Sequence, residues 1–166
     1  MARVYVSLGS NIDPARHIRE GVGSLRRSFG ELILSRVYES EPVGLDGENF
    51  YNLVAAFDTD EDVAAVAGRL RAIEGSHGRQ RGPGPNGGRF TPRTLDLDLL
   101  LYDRLVIERD GLRLPRDEIT RHAFVLCPLA ELAPDLGHPL EGRSMAELWR
   151  EFRAEDQPLW PIEFQW

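Results

Sequence analysis

The chain has 166 residues, of which 42% are hydrophobic, 28% charged and 8% aromatic. This balance excludes intrinsic disorder and predicts one domain that buries roughly 70% of its unfolded surface. The net charge of −7 argues against general nucleic-acid binding, and the longest apolar stretch, Leu97 to Tyr102 with Asp98 inside it, falls far short of the ~20 residues that cross a bilayer. All 20 basic residues are arginine, so phosphate chemistry here has no P-loop lysine to draw on and uses forked guanidinium groups.

The opening Met1-Ala-Arg-Val-Tyr-Val lacks the regions of a secretory signal, which leads to the expectation of a cytoplasmic protein. Val4, Val6 and Leu8 alternate with polar neighbours and predict a strand over 2–8, after which Gly9-Ser10-Asn11 turns the chain. Asp13 and Pro14 supply an N-cap and a first-turn proline. Ile18, Val22, Leu25 and Phe29 make the stripe of a helix that ends at Gly30. Residues 32–39 read as a second strand, Glu41 to Asn49 as a surface loop, and Phe50 to Asp58 as a third strand with Leu53, Ala55 and Phe57 on one face. Thr59 with Asp62 reads as a capping box for a helix running to about Gly75, carried by Val63, Val66, Ala67, Leu70 and Ile73.

His77 to Arg89 holds five glycines and two prolines and reads as a long mobile loop, a kind of segment that is commonly functional. Thr94 to Tyr102 is predicted as a fourth strand and Leu105 to Glu108 as a short fifth. The order strand, helix, strand, strand, helix, strand predicts an α+β, ferredoxin-like βαββαβ sheet with helices packed on it. A C-terminal helical extension follows, with one short helix near Pro128–Leu132 and another capped by Ser144 with Glu147. Trp149, Trp160 and Trp166 read as cover for the sheet, Cys127 as a small buried hydrophobe, and His77 and His122 as scaffold.

Chemistry concentrates in Thr91-Pro-Arg-Thr-Leu-Asp-Leu-Asp-Leu-Leu-Leu-Tyr102. Residues two apart on a strand share a face, so Asp96 and Asp98 point together while Leu95, Leu97, Leu99 and Leu101 take the other side. Paired carboxylates repel unless a cation lies among them. Fixed salt bridges to nearby arginines are one way to hold such a pair. Against that stands the adjoining segment, where Arg79, Arg81, Arg89 and Arg93 occur with no acidic residue among them, a charge pattern suited to an anion. Carboxylates bind Mg²⁺ through oxygen and leave positions for substrate phosphates, and arginines take the remaining phosphate oxygens. Together the residues point to Mg²⁺-dependent phosphoryl or pyrophosphoryl transfer from a nucleotide.

Pro92-Arg-Thr-Leu-Asp-Leu-Asp98, Gly9-Ser10-Asn11, Glu74 ahead of Arg79 and Arg81, and Phe124-Val-Leu-Cys-Pro-Leu-Ala-Glu-Leu-Ala-Pro134 resemble the 6-hydroxymethyl-7,8-dihydropterin pyrophosphokinase family of folate biosynthesis, over residues 1 to about 140. The resemblance implies transfer of pyrophosphate from ATP to the pterin hydroxymethyl group with release of AMP. It implies two Mg²⁺ ions on Asp96 and Asp98, nucleotide phosphates neutralised by Arg79, Arg81 and Arg93, and a nucleotide-binding site that also includes Glu74, Arg116 and Arg121. It implies a pterin site at Ser40, Val43, Phe50, Asn52 and Phe124, with the two aromatic rings on the pterin faces and the Asn52 amide at its edge. Small-molecule substrates and a monomer are expected, with neither nucleic acid nor membrane as partner.

The sequence departs from the family pattern at Glu41, Phe90 and Thr91, and more seriously where Arg116 stands at a position usually histidine and His122 at one usually arginine. Those two exchanges suggest a second reading, a pterin- or nucleotide-binding homologue without turnover. A third reading, an RNA-recognition-like module with Phe50, Tyr51 and Phe57 on its third strand, is opposed by the charge and by Asp96 and Asp98.

Overall fold

A computed structural model describes residues 1–42, 48–78 and 94–166. Its elements are β1 (Ala2–Ser10), α1 (Pro14–Phe29), β2 (Ile33–Leu34), β3 (Tyr38–Ser40), β4 (Phe50–Thr59), α2 (Val63–Ser76), β5 (Asp96–Tyr102), β6 (Ile107–Arg109), β7 (Leu112–Leu114), α3 (Glu118–Arg121), α4 (Ala123–Leu132), α5 (Met145–Glu151) and β8 (Leu159–Pro161). The main sheet is antiparallel, in the order β5-β1-β4-β3-β8, with β2 also on β4. The class is α+β, as the mixture of periods predicts.

Two apolar layers sandwich the sheet. On one face Val4, Val6, Leu8, Leu53, Ala55 and Phe57 pack with Ile18, Val22 and Leu25 of α1 and Val66, Leu70 and Ile73 of α2. The other face sets Tyr5, Val54 and Ala56 against Ile119, Val125, Leu126, Leu129 and Met145 from α3, α4 and α5. β1 and β4 are therefore buried on both sides, and the helix stripes read from the sequence face the sheet as expected. The Phe29 ring stacks on Phe57 with centroids 4.2 Å apart.

Several local expectations are corrected. β1 continues through Ser10, so Gly9 and Ser10 are strand and the turn begins at Asn11. Asp13 sits at the head of α1 with φ 44, but its carboxylate pairs with Arg16 at 2.6 Å and does not cap the helix. The Thr59–Asp62 capping box does not form. Asp62 is the cap, accepting from Ala65 N at 2.8 Å, whereas Thr59 belongs to β4 and its Oγ1 accepts from Glu61 N at 3.1 Å. The strand expected over 32–39 is broken into β2 and β3, because the Ser35 hydroxyl takes the Val54 N–H at 2.9 Å in place of a strand carbonyl.

The short fifth strand also forms elsewhere. β6 pairs only with β7, a hairpin outside the main sheet that turns at Asp110 and Gly111 with φ 54 and 77. Within β5, Val6 pairs with Leu99 and Tyr5 with Leu101, so Leu100 is an extra residue. This bulge sends Leu101 to the α3–α5 side with Leu100, while Leu95, Leu97 and Leu99 stay on the α1–α2 side. The chain end is not only helical. After α5 it lays β8 along the β3 edge and tucks Ile162 and Phe164 against the α1–α2 layer. Pro158 and Pro161 disguise this strand, yet an edge position tolerates them. No helix among the described residues is long and apolar enough to cross a membrane.

Candidate functional site

Strand register brings the predicted residues into rows. Gly9 of β1 pairs with Asp96 on one side and Asn52 on the other, and Asn52 in turn pairs with Tyr38. To one side of that row Ser7 pairs with Asp98 and Val54, and to the other side Ser40 pairs with Phe50. Paired residues and residues two apart share a face. Ser40, Phe50, Asn52, Asp96 and Asp98 consequently project from the face that carries α3–α5, at the end of the sheet where β1 finishes and β5 begins.

The close approach at the centre of the row depends on Gly9. A Cβ there would stand 2.9 Å from Asn52 Oδ1 and 3.9 Å from Asp96 Cβ, so the Asn52 amide occupies space that another residue would fill. Asn52 is only 3% exposed and its Nδ2 donates to Ser40 Oγ at 3.1 Å, which orients the amide and leaves its oxygen toward Gly9. Phe50 is half-buried. Phe124, half-buried on α4, packs against the layer on the same side of the sheet, and its ring stacks on His122 with centroids 4.9 Å apart.

Glu74, expected on the nucleotide side, joins the two aspartates. Its buried side chain reaches the open edge of β5, where Oε2 accepts from Leu97 N at 2.7 Å. Carboxylate oxygens of Glu74, Asp96 and Asp98 lie within 4.8 Å of one another. Burial, followed by the charge of Asp96, pushes the Asp98 carboxyl up to about 6; Glu74 and Glu118 add to the rise and Arg116 opposes it. An oxygen-only donor set of high negative charge, in which ionisation of one member is resisted by the others, fits a hard divalent cation such as Mg²⁺.

Arg116 touches this cluster directly. Its N–H donates to Leu100 O at 3.1 Å, anchoring the backbone to β5, while Nη2 lies 3.3 Å from Asp98 Oδ1 and Nε 2.6 Å from Glu118 Oε2. Arg121 is exposed on α3 and pairs with Asp117 at 3.9 Å. Val43, Arg79, Arg81 and Arg93 lie outside the described residues, as does most of the glycine-rich loop.

Two contributions escaped sequence reasoning. Gly9 stands out in the motif as a turn former, whereas a glycine within a strand signals close approach of a neighbour. The Arg116–Asp98 contact has no local signal, since 17 residues, including a separate hairpin, intervene.

The family described as 7,8-dihydro-6-hydroxymethylpterin-pyrophosphokinase matches residues 5–134. A 2-amino-4-hydroxy-6-hydroxymethyldihydropteridine pyrophosphokinase from Pseudomonas aeruginosa is 40% identical over 150 residues, covering 88% of this chain and 89% of that one. A Bacillus subtilis protein of the same description is 34% identical over 132 residues, covering 77% and 76%. Among solved structures, Plasmodium falciparum HPPK-DHPS aligns with a TM-score of 0.69 at 15% identity, a likeness of fold. The alignment covers 90% of this chain and 44% of that longer one.

Proposed function

The chain belongs to the 7,8-dihydro-6-hydroxymethylpterin-pyrophosphokinase family, and on that premise we propose how its own residues carry out the family reaction. That reaction is pyrophosphoryl transfer from ATP to hydroxymethyldihydropterin in folate biosynthesis. The strand order β5-β1-β4-β3 supports a ferredoxin-like sheet, with β4 lying between β1 and β3 and β1 between β4 and β5. We read residues 1–166 as one pyrophosphokinase domain, working as a cytoplasmic monomer on small-molecule substrates.

Asp96 and Asp98, with Glu74 beside them, are assigned to hold Mg²⁺, two ions in the full complex. When bound, Mg²⁺ screens the triphosphate and stabilises the charge that develops on the leaving AMP. Arg79, Arg81 and Arg93 are assigned to the phosphates from the glycine-rich segment, and Arg116 and Arg121 from the α3 end; each guanidinium offers a fork that matches two phosphate oxygens. Ser40 and Asn52 are assigned to the pterin edge. Asn52 keeps its Oδ1 and one amide hydrogen for that task after giving the other hydrogen to Ser40. Phe50, Phe124 and Val43 are assigned to the pterin's apolar surfaces.

One observation carries this assignment, the row in which Gly9 separates Asn52 from Asp96. Strands about 4.8 Å apart place the Cα atoms of these two residues roughly 10 Å from each other, leaving room between them for an alcohol and the phosphate it attacks. Holding two reactants in line is worth several powers of ten in rate and needs no strong base. The test is AMP formation from ATP, Mg²⁺ and 6-hydroxymethyl-7,8-dihydropterin. Turnover by the native chain that disappears in a folded Asp98→Ala variant supports the assignment. Undiminished turnover in that variant removes Asp98 from the metal site, and no turnover by the native chain favours a binding homologue.

A further inference from the structure

We propose that Arg116 is a resident counter-cation of the carboxylate cluster, which competes with the divalent ion for Asp98 and is released toward the nucleotide phosphates when the ion binds. The inference rests on the carboxylate reading given above and adds to it a device for coupling metal and nucleotide. Three observations lead to it. The Arg116 guanidinium stands 3.3 Å from Asp98 Oδ1, on one of the three carboxylates whose oxygens converge within 4.8 Å. Its contact with that cluster is partial, because Nε turns 2.6 Å toward Glu118 Oε2 and the side chain remains 35% exposed. Its backbone is fixed independently, by the bond from Arg116 N to Leu100 O at 3.1 Å and by Ile119 N on Arg116 O at 3.2 Å, so the side chain can leave Asp98 without moving the chain.

Charge makes the competition unavoidable. Among the described residues, the Arg116 guanidinium bridges Asp98 and Glu118 and opposes the repulsion that Asp96, Glu74 and Glu118 exert at Asp98. A divalent ion brought to Asp98 meets that positive charge at close range and has to displace it. Once displaced, the guanidinium is still tethered beside the site and is available to a phosphate that accompanies the ion. The metal-free cluster is thereby kept from the full cost of unscreened carboxylates. The ion binds weakly by itself and strongly together with nucleotide. A static ion pair lacks the second half of this: its removal also relieves the repulsion felt by the ion, but leaves nucleotide binding and the coupling of metal to nucleotide unchanged.

The experiment measures Mn²⁺ as the probe for the divalent site, by loss of the free-ion electron paramagnetic resonance signal, at pH 8. The native protein is compared with Arg116→Gln and Arg116→Met, two neutral replacements of which the second keeps the apolar stem, and with Arg116→Lys. Circular dichroism establishes that each is folded. We expect the neutral variants to bind Mn²⁺ about tenfold more tightly in the absence of nucleotide, with affinity close to native in the lysine variant. With a non-hydrolysable ATP analogue present the order reverses, and the neutral variants bind the analogue several-fold more weakly. Folded neutral variants with unchanged or weaker Mn²⁺ binding overturn the inference while leaving the carboxylate site standing. Absence of Mn²⁺ binding in every protein, native included, overturns both.

Discussion

Two carboxylates of this molecule each meet an arginine, and they behave oppositely. Glu131 on α4 accepts from the Arg36 backbone N–H at 2.8 Å, from Arg36 Nε at 2.9 Å and from the Tyr38 hydroxyl. Burial raises its affinity for a proton, but these bonds more than compensate and hold the carboxyl below the ordinary range. Asp98 on β5 meets, among the described residues, the Arg116 guanidinium at 3.3 Å, with Asp96, Glu74 and Glu118 as acidic neighbours and a carboxyl pushed up to about 6. The difference is one of satisfaction. Glu131 is a completed network that ties α4 to the β3 region, whereas Asp98 belongs to a carboxylate cluster whose mutual repulsion outweighs the contact with Arg116.

The largest expected effect lies on the Asp98 side. Asp98→Ala should lower pyrophosphoryl transfer by three or more powers of ten, about 4 kcal/mol of transition-state stabilisation. Its melting temperature should stay level or rise, because the substitution removes a repelled charge. Glu131→Ala should do the reverse. It should cost about 2 kcal/mol of stability by stripping partners from the Tyr38 hydroxyl and the Arg36 N–H, with turnover per folded molecule nearly unchanged. Denaturant titration alongside AMP release reads both. If the two variants lost stability equally, the distinction between completed and incomplete networks would fail.

A smaller effect separates the two sites by pH in the metal-free protein. Because the folded Asp98 carboxyl is raised, its contribution to stability is fully present below its unfolded value near 3.8 and is lost as pH rises through about 6. Glu131 is lowered on folding, so its contribution is present above its unfolded value of 4.5 and is lost as pH falls below it. Asp98→Asn should therefore stabilise the metal-free protein by about 1 kcal/mol at pH 8 and hardly at all near pH 4. Melting curves across that range provide the measurement. A gain of equal size at both ends would mean that Asp98 is not held above its ordinary range.

The same contrast explains how much could be read in advance. Helix stripes, the alternation in β1 and β4, and the paired aspartates are local patterns, and local patterns survive folding when both faces of a sheet are buried. What escaped depended on contacts between distant segments. Ser35 breaks a strand because Val54 is beside it, Leu101 changes face because Leu100 is extra opposite Tyr5 and Val6, and β8 exists because β3 offers it an edge. At the site, Asp96, Asp98 and Asn52 announced themselves as polar residues in apolar strands. Glu74 could be tied to the motif by resemblance, but its bond to Leu97 N could not be seen before α2 was set against β5.

The smallest expected effect is also the sharpest probe of the site's geometry. A methyl group on Gly9 would meet Asn52 Oδ1 at 2.9 Å, a contact that real structures relieve by moving the flexible end of the side chain. Gly9→Ala should therefore change stability by well under 1 kcal/mol. Asn52 cannot move without cost to recognition, however, because its Nδ2 is committed to Ser40 and its oxygen is the atom that shifts. The KM for the pterin should rise about threefold, under 1 kcal/mol in binding, with the KM for ATP unchanged. Asn52→Ala removes both the clash and the recognition, so adding Gly9→Ala to it should change nothing further. A double-mutant cycle in which the two effects simply add would place the Gly9 contribution elsewhere than on Asn52.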